Sequence, residues 1–197
     1  MTGTVIKRAR DAVIISFCVL CVLQLAGCGA GIEVYDDISR YGEYMSFGTH
    51  DRDSKRNKWG MDESIWPGAV NPAEVTDFKM VCYDPWDAQY LGYLVVDYTD
   101  MEYAAETERL LSYPSTEYVG YYGVQTEKTY RLLAVNADSY LGFVYALTDG
   151  RNRIVYAEQI FCNYFMDIDY EKYIPADYLL DGFNAKPDNP YRSKMMK

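Results

Sequence analysis

The chain has 197 residues, 29 of them acidic against 19 basic, for a net charge of −10 and a single histidine. That balance argues against a nucleic-acid-binding protein, which needs a basic face, and offers nothing to attract an anionic lipid surface. The length suits one domain with a core of its own.

The first segment reads as an export signal. Lys7, Arg8 and Arg10 precede an apolar run over residues 12–26, broken only by Ser16 and Gln24, and small residues follow. The run is too short and wrongly flanked for a stable membrane span. Its ending, Leu25-Ala26-Gly27-Cys28, resembles the lipobox of bacterial lipoprotein signal peptides. The resemblance covers residues 1–28. It implies cleavage between Gly27 and Cys28 and a diacylglyceryl group on the Cys28 thiol, which would anchor the chain to the extracytoplasmic face of the cell membrane. Two acyl chains suffice for stable anchoring. That lipid is the only non-protein group expected; no metal or other cofactor is. Cleavage takes 27 residues, three basic and one acidic, leaving 170 with a net charge of −12.

Cys18 and Cys21 form a Cys-x-x-Cys inside the discarded apolar run, where metal binding is implausible. Cys82 and Cys162 remain in the body, either as a disulfide made outside the cell or as two buried thiols acting as small hydrophobes.

After Cys28, residues 28–33 read as a lipidated cysteine and short tether, 34–183 as a single domain, and 184–197 as a disordered tail. Asp36-Asp37 before Ile38, Tyr41 and Met45 predicts a short helix with acids in its first turn. From Ser46 to Lys58 the periodicity stops. That loop holds His50 and the basic group Arg52, Lys55, Arg56 and Lys58, read as solvated. Phe78, Met80 and Cys82 alternate as a half-buried strand. After Asp84-Pro85-Trp86-Asp87, residues 90–98 are apolar on both faces, as a central strand is, and the two strands pair most economically as a hairpin. Thr99 and Glu102 fit a capping box. The helix they open runs to about Ser112, with Met101, Ala104, Ala105 and Leu111 toward the core and Glu102, Glu106 and Arg109 outward, and Pro114 stops it. Further strands are predicted over residues 117–122, 130–136, 140–147 and 153–164, with Asp149-Gly150 a hairpin signal, and a short helical segment near Tyr178. The fold class is therefore α+β: a mainly antiparallel sheet of five to six strands with one central amphipathic helix packed on it.

Catalytic motifs are scarce. The mature chain holds no Gly-x-Ser-x-Gly, Ser-x-x-Lys or His-Glu-x-x-His. His50, alone in a charged loop, lacks the orienting groups that nucleophilic catalysis needs. Asp167, Asp169 and Glu171 would share one side of an extended segment and suit a hard cation, but a solvated polar face is the simpler reading. Asp84 and Asp87 around Trp86 have the make-up of a sugar subsite, although two acids in one turn cannot flank a glycosidic bond from both sides. All 21 tyrosines follow the signal. Tyrosine suits binding surfaces, yet it is also a favoured strand residue, and packing outweighs a dedicated surface. Tyr121, Tyr122, Trp86, Asp84 and Asp87 are the candidate binding residues.

The body over residues 33–183, including Asp84-Pro85-Trp86-Asp87 and Asp167-x-Asp169-Tyr170, resembles small lipoproteins of Gram-positive bacteria, a likeness that carries no activity with it. The expected function is a non-enzymatic binding domain anchored to the membrane, with a cell-envelope protein or wall glycan as partner and no nucleic acid. The alternatives are a carboxylate-based envelope hydrolase and an acidic immunity or inhibitor lipoprotein.

Overall fold

The alternation that begins at Phe78 becomes β2 (Val75–Tyr83), and the doubly apolar run after it becomes β3 (Gln89–Asp97). They pair antiparallel as a hairpin, from Val75 opposite Val96 to Tyr83 opposite Gln89. The computed structural model describes residues 31–47, 58–83, 87–116, 129–180 and 185–188. Around the hairpin it places β1 (Ile32–Tyr35), α1 (Tyr41–Tyr44), α2 (Asp100–Leu111), β4 (Arg131–Asp138), β5 (Gly142–Thr148) and β6 (Arg153–Ile160). The candidates Gly27, Cys28, Asp84, Trp86, Tyr121 and Tyr122, the predicted strand over 117–122 and most of the basic loop lie outside the described residues.

The six strands form one antiparallel sheet in the order β1-β2-β3-β6-β5-β4. Two consecutive three-stranded meanders thus meet along β3 and β6, and the strands flanking that seam are buried on both faces. Period-2 alternation divides the sheet side chains between two cores. One face packs Met80, Leu94, Ala146 and Tyr156 against Tyr44, Met45, Ile65, Trp66 and Leu110. The other packs Val81, Tyr93, Tyr145 and Val155 against Phe161, Met166, Tyr170 and Ile174. The chain before β2, joined by α2, covers the first face, and the chain after β6 covers the second.

Three boundaries differ from expectation. Ile32 and Glu33, read as tether, begin β1, which pairs with the end of β2 from Ile32 opposite Tyr83 to Tyr35 opposite Met80. Four residues behind glycine give too short a pattern to mark a strand; β2 supplies the hydrogen bonds that make it one. The segment from residue 184, read as a tail, packs at Ala185, which is fully buried and whose carbonyl accepts from the Met166 amide at 2.7 Å. The last strand ends at Ile160, not near Tyr164.

Helix α2 has the expected start. Thr99 Oγ1 accepts from the Glu102 amide while the Glu102 carboxylate accepts from the Thr99 amide. Its inward face is not the expected one. Met101 and Leu111 are 80% and 64% exposed, whereas Leu110 is buried and Tyr103 packs partly against the core. The acid and base read as outward do the docking: Glu106 accepts from the Tyr156 hydroxyl, and Arg109 donates to the carbonyls of Ser64 and Ile65 at 2.8 and 2.7 Å. Two apolar stripes compete on this helix, and the phenol of Tyr156 rising from the sheet finds its carboxylate acceptor on the Glu106 side.

Candidate functional site

One row of paired residues crosses the whole sheet: Glu33 opposite Cys82, then Tyr90, Ile160, Gly142 and Asp138. It marks the end where β1 starts and where the β2–β3 and β4–β5 turns lie. Trp59, Asn163 and Tyr164, the three non-glycine residues with positive φ among those described, all lie at this end. Backbone held in that region costs about 1–3 kcal/mol per residue and gathers at functional sites.

Trp59 sits at φ 53° between Lys58 and Gly60, itself at φ 91°. The residue is 42% exposed, and its indole N–H donates to the Ala88 carbonyl at 2.6 Å, which fixes it beside the start of β3. What holds the strained turn is an ionic cluster beneath it. Lys58, expected in a solvated basic loop, is fully buried, as are Glu63 and Glu158. Lys58 Nζ donates to Glu63 and, at 2.8 Å, to Glu158 Oε1; the Lys58 amide donates to Glu63 Oε2 at 3.1 Å. Burial opposes the ammonium, but Glu158 and Glu63 outweigh it and raise the Lys58 pKa. Burial pushes Glu158 the other way for a carboxyl, up to about 8, with Lys58 opposing and Glu63 reinforcing. Glu158 Oε2 is buried and makes no hydrogen bond.

Next to Trp59, Asp87 is half-buried at the turn into β3. Fully buried Gln89 reaches 78 residues along the chain: its Oε1 accepts from the Asp167 amide at 2.8 Å and its Nε2 donates to Asp167 Oδ2 at 2.9 Å. Burial, then the charges of Asp87 and Asp167, push the Cys162 thiol up. Gln89 thus ties the turn that holds Asp87 to the acidic stretch that begins at Asp167. Cys82 and Cys162 are buried thiols, not a disulfide. Asp167, Asp169 and Glu171 do not converge: Asp169 pairs with Lys172 at 3.1 Å and Glu171 with Lys186 at 2.7 Å. No group of three His, Cys, Asp or Glu able to hold a metal ion occurs among the described residues.

At the β4–β5 turn, Asp138 Oδ1 accepts from the amides of Tyr140 and Leu141 at 2.7 and 2.9 Å. Gly142 closes the turn at φ 118°, where a Cβ would stand 2.0 Å from the Gln159 carbonyl. Tyr140, alone among the described tyrosines, is largely exposed, at 41%. It packs edge-on against Tyr164 at 4.9 Å and donates to Asn163 Oδ1 at 3.3 Å. The remaining described tyrosines are buried or half-buried, mostly within the two cores.

Sequence reasoning marked Asp87 and the 167–171 acids but missed Lys58, Glu63, Glu158 and Gln89. A signal existed for Glu158, the one acid of β6, directly after the run Ile154-Val155-Tyr156-Ala157. No family model, curated protein or solved structure matches this chain.

Proposed function

We propose that this protein is a lipid-anchored extracytoplasmic binding domain, held on the outer face of the cytoplasmic membrane by a diacylglyceryl group on Cys28, with an envelope protein or wall glycan as its partner. The observation that carries the reading is Leu25-Ala26-Gly27-Cys28 behind a basic and then apolar run, with the first strand of a self-contained sheet only four residues beyond. Binding is favoured over catalysis by where the chemistry sits. The carboxyl with a raised pKa, Glu158, is sealed inside the core away from any substrate. At the sheet end, an indole and a phenol meet solvent on pinned turns, as a recognition surface requires. In this reading α2 is the central amphipathic helix of the body, bracing the sheet through Tyr103 and Leu110.

The test is Cys28→Ala, with fatty-acid labelling and membrane fractionation of the full chain. The wild type is expected to be labelled and membrane-bound, the variant unlabelled and either released or unprocessed. A variant that keeps both label and membrane would overturn the reading.

A further inference from the structure

Among the described residues, the exposed aromatic side chains, Trp59 and Tyr140, and the start of the first strand lie at the same end of the sheet. We infer that this end rests on the bilayer surface, with Trp59 and Tyr140 seated among neutral lipid headgroups. The inference rests on the lipid attachment proposed above and adds which part of the body meets the lipid.

Chain length carries the first part of the argument. Four Cα–Cα steps separate Cys28 from Ile32, a reach of about 14 Å at full stretch. Acyl chains in the bilayer hold Cys28 at headgroup level, so the start of β1 cannot leave the membrane surface by more than that. Ile32 opposes Tyr83, one step beyond the paired row that runs to Asp138. The tether therefore draws down the end that bears Trp59 and the β4–β5 turn.

Surface chemistry decides how that end lies. Five strand spacings of about 4.8 Å put β4 some 24 Å from β1. The body can thus lie on its β1 edge or stand on its end. The edge offers Ile32 and Val34 but brings Glu33, Asp36 and Asp37 with them. The end offers Trp59 and Tyr140, the side chains that prefer the membrane–water interface. Among the described residues at this end, Asp87, Asp138 and Asp167 disfavour an anionic surface, which favours neutral headgroups. The opposite end, beyond Asp97 of β3, exposes the aliphatic Met101.

The experiment uses the full, processed chain in phosphatidylcholine vesicles, with a nitroxide on Tyr140→Cys, on Ser139→Cys as a second probe should the first variant misfold, or on Met101→Cys. Cys28 diacylation is measured by mass spectrometry. The labels at 139 and 140 are expected to be shielded from a water-soluble nickel relaxant several-fold more than the label at 101, and the shielding to weaken when phosphatidylglycerol is added. Diacylated protein whose labels at 139 and 140 are as open to nickel as that at 101 would overturn this inference and leave the anchor standing. An unmodified Cys28 would overturn both.

Discussion

Gly92 on β3 stands directly across the ladder from Glu158 on β6, so the buried carboxyl has no side chain opposite it on the β3 side, while Val144 faces it from β5. The space over Gly92 is already taken: a Cβ there would lie 2.8 Å from the Lys79 carbonyl oxygen and 3.0 Å from Met80 Sδ. The methionine can move and the backbone carbonyl cannot. Gly92→Ala is accordingly expected to destabilise the fold by about 1–3 kcal/mol through overpacking, read from urea unfolding. An unchanged midpoint would show that β2 has more freedom at Lys79 than its pairing suggests.

The buried ionic cluster makes stability depend on pH in an unusual direction. Glu158 holds its proton up to about 8 when folded, against an ordinary value of 4.5. The folded state therefore binds that proton more tightly than the unfolded one, and the stabilisation is fully present below the ordinary value. It is lost as pH rises from 4.5 through 8. Thermal midpoints are expected to fall between pH 5 and pH 8, and Glu158→Gln, neutral throughout, should flatten that slope. A variant with the wild-type slope would place the titration elsewhere.

Removing the cation is more damaging than removing the cluster. Lys58→Met leaves Glu63 and Glu158 buried together without their shared donor and should cost about 3–5 kcal/mol. Replacing all three side chains by Met and Leu is expected to recover most of the loss. A single-variant cost below about 1 kcal/mol would show that water reaches the cluster.

Tyr156 links the sheet to α2. Its hydroxyl donates to Glu106 and lies 2.8 Å from that of Tyr98. Tyr156→Phe should lose about 1–2 kcal/mol, and the double variant Tyr156→Phe with Glu106→Ala should cost clearly less than the two single changes summed, since both cut one contact. Full additivity in a double-mutant cycle would disprove the link.

Much of the sheet was readable because β2, β3, β5 and β6 carry dense apolar patterns and their turns carry strong signals. The capping box at Thr99 was equally local. What escaped detection depends on partners far along the chain. Lys58 looks like one more loop cation until Glu158, 100 residues later, lies beside it. Gln89 looks like an ordinary polar residue at a strand start until Asp167 meets it. The face of α2 was misread because helical spacing weighs Met101 and Leu110 alike, while the demand of the Tyr156 phenol is invisible locally. The short β1 exists only because β2 leaves a ladder open beside it.

The seam between β3 and β6 has a kinetic consequence. Each meander is made of neighbours in sequence and closes early, but the ladder that joins them pairs Tyr90 with Ile160 and Asp97 with Arg153. A chain emerging N-terminus first completes β1–β3 with the apolar edge of β3 uncovered, and nothing can occupy that edge correctly until residue 160 has arrived. During that wait the edge is open to any other extended segment. Conditions that slow emergence should therefore favour aggregation before they reduce the stability of the finished sheet.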